Sequence, residues 1–179
     1  MMPKTYLEVK SLVDFEELIG YKFQNQDLLQ QALTHKSAVN EKHPMAFSRD
    51  FTSLAFVGDS VVKYAVTRYL YLNGRDDVIR KCKELHEGTQ KVIPNYVLAK
   101  LAYDKLHLEQ YLIRGNSHRY PVMSMYASCI EAIFGAIALD CGVNQQEVIF
   151  RVIEKICAGR VEKWLTKVPD GTMRAHMWD

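Results

Sequence analysis

"FTSLAFVGDS", residues 51–60, heads a strongly apolar helical run, and its one carboxylate, Asp59, poses the question from which the reading grows. On a helix, residues seven, four and three positions earlier share a face, so Thr52, Ala55 and Phe56 stand with Asp59. An acidic metal site on this helix would use two of those positions for further carboxylates, and none of the three is acidic. Asp59 is therefore either a plain helix residue, paired with Lys63 four positions on, or a group with chemistry to perform. The apolar spacing carries the helix from about Leu54 to Leu72, with Asn73-Gly74 as its stop.

Outward from this helix the pattern stays helical. Phe15, Leu18 and Ile19, then Leu28, Leu29, Ala32 and Leu33, recur at helical spacing, and Asn25 stands where it can cap the second run. Residues 40–50 are polar, contain a proline and read as a loop. Residues 78–92 read as helix; Pro94 interrupts, and helix resumes after Asn95. "RGNSHRYP", residues 114–121, forms a basic turn. A further helix spans Met123 to Asp140, closed by Cys141-Gly142, and Asn144 opens a last helix reaching about Thr166. No run alternates as a strand does, so the chain is expected to be all-α, a single helical domain over 15–166. An N-terminal extension (1–14) and a C-terminal tail (167–179) flank it. No linker divides the chain, and too few residues follow the last helix for a second folded module.

The 179 residues suit one domain with a sizeable core, and 48% hydrophobic with 25% charged residues is the balance of a soluble protein. The near-apolar run Ala127–Leu139 holds Glu131 and is short for a bilayer, and MMPKTYLEVK lacks the layout of a secretion signal. Cys82, Cys129, Cys141 and Cys157 lack metal-ligand spacing and read as free thiols. The expectation is an intracellular protein away from any membrane, in cytoplasm or nucleus, with an organelle as the alternative. Net charge is +2, but residues 75–119 carry nine Lys or Arg against six Asp or Glu, a mild basic bias.

"ASCIEAIFGAIALD", residues 127–140, is rich in small residues, which lets a neighbouring backbone come close. Glu131 sits in its middle. A carboxylate on an apolar helix is costly unless paired, metal-bound or at an opening. Two readings compete. In one, Asp59 pairs with Lys63 and Glu131 bonds a hydroxyl such as that of Ser128. In the other, both carboxylates stand beside one hard cation, which needs only one or two carboxylates and keeps several waters.

"QALTHKSAVNE" (31–41), "LAFVGDSVVKY" (54–64), "NYVLAKLA" (95–102) and "ASCIEAIFGAIALDCG" (127–142) follow one another as in the ribonuclease III domain, which the chain resembles over about residues 15–165. The resemblance implies an all-helical nuclease fold, a homodimer, double-stranded RNA as substrate, Mg²⁺ or Mn²⁺ as cofactor, and staggered ends. Against the family's signature helix, Thr52 and Ala55 stand at the glutamate positions and Asp59 at the aspartate. In the second motif Ser128 stands at the aspartate and Glu131 at the glutamate. Of four metal-site positions, Asp59 and Glu131 remain acidic; Ala55 and Ser128 do not. This reduction is similar to that of the mini-ribonuclease III branch, which cleaves double-stranded RNA without an appended RNA-binding domain. It also fits inactive mitochondrial ribosomal relatives, an RNA-binding scaffold being the alternative.

The resemblance then implies Asp59 and Glu131 as catalytic metal ligands, Ser128 and Thr52 as water-positioning hydroxyls, and Phe56 as a dimer contact beside the site. Glu84 and Glu87 lie on a helix that contributes an acidic group in the family, although solvated surface carboxylates are commoner. For RNA the candidates are Lys36, Arg114, Asn116, His118 and Arg119, aimed at phosphates and 2′-hydroxyls, because the deep groove of an A-form helix is closed to side chains. His35, between Thr34 and Lys36, reads as a cap or brace.

Overall fold

Several helices in this chain begin where a side chain satisfies a free N–H. The computed structural model describes residues 6, 8–73, 82–91, 93–142 and 145–157. Among them are eight α-helices: α1 Leu12–Ile19, α2 Gln26–Ala32, α3 Lys36–Glu41, α4 Thr52–Asn73, α5 Cys82–Thr89, α6 Asn95–Asp104, α7 Met123–Asp140 and α8 Gln145–Cys157. Ser11 Oγ accepts the Val13 N–H at the start of α1, and Gly20, at φ 74°, ends it. Asn25 caps α2 as its position suggests, its Oδ1 accepting the Asp27 N–H at 3.0 Å. Asp50 accepts the Thr52 N–H at 2.9 Å, so α4 starts two residues before the expected Leu54.

α5 ends at Thr89, short of the expected 92, and one helix has no counterpart in the sequence pattern. Residues 36–41 form α3, where the sequence offers too short a run for periodicity to register. His35 makes it: Nδ1 accepts the Ser37 N–H at 3.2 Å, and Lys42 closes the turn at φ 55°. The expected loop therefore starts after Glu41.

α4 and α7 form the most extensive helix pairing; α2, α6 and α8 also pack on α7, and α5 packs on α4. Ile130, Ile133, Phe134 and Ile137 of α7 are fully buried against Phe15, Leu29 and Leu70. By length and composition α7 reaches the lower limit of a membrane span, but 72% of it is buried inside the fold, so it is a core helix. At its C-terminal end Asp140 accepts the Tyr21 hydroxyl and the Gln24 and Asn25 N–H groups, each at 2.8 Å, fastening the start of α2.

Among the described residues the one β-type contact is an isolated parallel bridge between Thr34 and Ile113. There Ile113 N–H donates to Leu33 O and His35 N–H to Ile113 O, both at 2.8 Å. The all-α class stands, and this bridge anchors the basic turn to the start of α3. The expected Gly74 stop, the helix start at 78, the Asn144 cap, and the residues from 158 onward lie outside the described residues.

Candidate active site

Two glycines set the distance between α4 and α7. A Cβ on Gly58 would overlap the carbonyl oxygen of Glu131 and approach Gly135 N to 2.9 Å, and one on Gly135 would overlap the carbonyl oxygen of Leu54. The two backbones are in contact at this crossing. Asp59 directly follows Gly58, and Glu131 is the residue that Gly58 touches, so the crossing itself brings the two carboxylates to one place.

The electrostatics follow from that geometry. Glu131 is half-buried on α7, and its carboxyl is pushed up to about 7, first by burial and then by the charge of Asp59. Asp59 is exposed. The bland pairings do not form: among the described residues there is no ion pair between Asp59 and Lys63 and no hydrogen bond from Ser128 to Glu131. The two acids thus repel each other, and among the described residues neither is in an ion pair.

The neighbouring positions are polar but not acidic. Ser128 is partly buried one turn before Glu131, and Thr52 is exposed at the first turn of α4. Ala55 is 8% exposed, a core contact and not an open position. Among the described residues no three His, Cys, Asp or Glu side chains gather as a metal site would require of protein ligands alone. Glu84 and Glu87 therefore do not join the pair. Their Oε2 atoms are buried without a hydrogen-bond partner, and Glu87 Oε1 lies 3.8 Å from Lys83. Phe56, one turn before Asp59, is 80% exposed, which removes it from the core.

The basic turn is held against α3. Gly115 N–H donates to Ser37 Oγ at 2.9 Å, while the N–H groups of Asn116 and Ser117 donate to the Glu41 carboxylate at 2.8 and 2.9 Å. Arg114 is half-buried and directed inward: it donates to the carbonyls of Arg119, Glu109 and Leu112 at 3.1, 2.9 and 3.3 Å. It braces the turn. Asn116, His118, Arg119 and, on α3, Lys36 are exposed. Sequence reading missed Gly58, Ser37 and Glu41. The glycine directly before Asp59 was the available signal for the first; the other two depend on the turn folding back, which no local pattern announces.

This all-helical fold is that of a ribonuclease III nuclease domain. The nuclease domain of ribonuclease III from Campylobacter jejuni matches with a TM-score of 0.67 at 26% identity, over 81% of this chain and 97% of that one. A second structure of that domain gives 0.65 at 27% identity. The chain belongs to the Ribonuclease-III-like family, whose description matches residues 25–156. Ribonuclease 3 of Clostridium perfringens is 32% identical over 140 residues, and that of Rickettsia prowazekii 29% over 160. The matches cover 75% and 84% of this chain but 55% and 65% of those relatives, so the chain spans somewhat over half their length.

Proposed function

We propose that this protein is a divalent-metal-dependent endoribonuclease that cleaves double-stranded RNA to staggered ends bearing 5′-phosphate and 3′-hydroxyl groups. The observation that carries the reading is the uncompensated carboxylate pair at the α4–α7 crossing. Burial of Glu131 and its repulsion by Asp59 disfavour the doubly charged pair, and a bound cation relieves both. Asp59 and Glu131 fit a small hard ion, which takes one or two carboxylates and fills its remaining positions with water. Bound there, Mg²⁺ or Mn²⁺ supplies an activated water and neutralises charge growing on the phosphate. Asp59 and Glu131 hold the ion, and the hydroxyls of Ser128 and, farther off, Thr52 orient solvent around it.

Substrate contacts fall on the exposed polar edge formed by α3 and the basic turn, with Lys36, Asn116, His118 and Arg119 meeting phosphates and 2′-hydroxyls. Arg114 serves this edge by holding its shape. Affinity from such contacts falls steeply with salt. The chain acts as a homodimer through Phe56. The relatives named Ribonuclease 3 support the nuclease chemistry, and the Campylobacter domain was studied in a region involved in dimer formation.

The test is direct. Purified protein is incubated with a long RNA duplex and Mg²⁺ or Mn²⁺, beside Asp59→Asn. Discrete products that vanish in the variant support the reading. Duplex binding without cleavage in either metal would replace it with an RNA-binding scaffold.

A further inference from the structure

Away from the carboxylate pair, a connected set of side chains ties the basic turn to α3, and two histidines sit in it with hydrogen-bond partners that favour one tautomer each. His35 Nδ1 accepts the Ser37 N–H at 3.2 Å and lies 2.8 Å from Ser37 Oγ. A lone pair that receives a backbone N–H cannot also carry a proton, so this neutral ring bears its hydrogen on Nε2. Ser37 Oγ then accepts the Gly115 N–H at 2.9 Å. At the far side of the turn, the Ser117 hydroxyl donates to Glu41 Oε1 at 2.6 Å. Its 3.1 Å contact with His118 Nδ1 must therefore receive a proton from that ring. The two imidazoles stand 4.9 Å apart, centroid to centroid, and Phe51 covers His35 at 5.6 Å.

We propose that His35 is the positioning residue of the Gly115 end of the turn Gly115–Arg119, and that proton uptake by its ring loosens that end from α3 while Asn116 and Ser117 stay on Glu41. A proton arriving at Nδ1 sets a donor against the Ser37 N–H, and α3 loses its N-terminal cap. The same proton places an imidazolium in contact with the ring of His118. The charged and titratable groups that act on His35 are Asp50 from the segment before α4 and His118 from the turn. Asp50 favours the charged form, but burial, followed by His118, outweighs it and lowers the His35 pKa. Glu41 is engaged at the other end of α3 by Asn116 and Ser117. The Gly115 end of the turn is thus seated at neutral pH and loosened on acidification. The consequence for RNA, weaker and less specific docking at acid pH, rests on the reading of the turn as a substrate contact.

The experiment uses the full chain without divalent metal. Ring-nitrogen NMR between pH 8 and 5 is expected to find His35 as the Nε2–H tautomer, titrating below the ordinary 6.5. Exchange of the Gly115 amide, corrected for its intrinsic rate, should quicken about tenfold or more between pH 7.5 and 5 as the seat is lost. His35→Asn caps α3 without titrating and should hold Gly115 equally protected at both values. The Nδ1–H tautomer at His35, a Gly115 amide indifferent to pH, or the same acid loss in His35→Asn would each overturn the proposal. Fluorescence anisotropy with a short RNA duplex separates the two readings. Loosening of the Gly115 end with unchanged duplex affinity refutes the turn's role as an RNA contact and leaves the positioning role standing.

Discussion

Glu131 is a partly buried acid beside a second acid, and its protonation gives a prediction with a definite sign. Its folded pKa is raised to about 7. The folded protein therefore binds this proton more tightly than the unfolded chain does. The resulting stability is fully present below the ordinary carboxyl range and is lost as pH rises towards and through 7. The group is only partly shielded from solvent, so the loss is discounted to about 1 kcal/mol. In chelator, Glu131→Gln should raise the urea midpoint at pH 8 and leave it unchanged at pH 4. Mg²⁺ or Mn²⁺ added at pH 8 should stabilise the wild-type chain and not the variant, because an ion bound only by the folded state adds stability by mass action. Equal metal responses in the two proteins would remove Glu131 from the ion. The complementary change restores acids at the two depleted positions: Ala55→Glu with Ser128→Asp should tighten Mn²⁺ binding, read by calorimetry. An unchanged affinity would mean that the site has been mapped to the wrong helix faces.

At the scale of helices, the α4–α7 crossing decides both stability and chemistry. Gly58→Ala and Gly135→Ala each drive a methyl into a backbone carbonyl of the facing helix. Backbone cannot rotate aside as a side chain does, so the helices must separate. The expected cost is about 3 kcal/mol or more in urea unfolding, at the upper end for overpacking. Metal affinity should fall with it, since the crossing is what unites Asp59 with Glu131. A Gly58→Ala protein of wild-type stability would show that the contact is looser than drawn. The sequence made much of this legible. Small residues at Ala127, Ala132, Gly135, Ala136 and Ala138 announced a helix approached closely, and the bounds Met123–Asp140 could be read from apolar spacing and the Cys141-Gly142 stop. The partner glycine was not legible, because one Gly inside a helical run looks the same whether it faces solvent or another backbone. α3 was not legible either: six residues give less than two turns of pattern, and a histidine seldom announces a cap. Arg114 read as a basic surface group because sequence shows its charge and not the three carbonyls that claim it.

Across the whole molecule, one feature that the monomer's core does not use is Phe56. Its ring is 80% exposed on the same face of α4 as Asp59, while the residue beside it, Ala55, is packed into the core. A large apolar side chain left in water gains nothing for the monomer, whereas seating it in a partner removes most of its area from solvent, worth roughly 1.5–3 kcal/mol per copy. A two-fold arrangement makes that contact twice and sets two carboxylate pairs across one duplex, one for each strand. Phe56→Glu therefore separates assembly from folding. The variant should keep the helical circular dichroism and urea midpoint of the wild-type monomer, because no core contact is lost. Light scattering should find it at half the wild-type mass at micromolar concentration. On duplex RNA, paired staggered cuts should give way to sparse single-strand nicks, because each monomer brings one site. A Phe56→Glu protein that keeps the wild-type mass, or a wild-type chain already monomeric, would leave the exposed ring without this role and the paired cuts without their geometry.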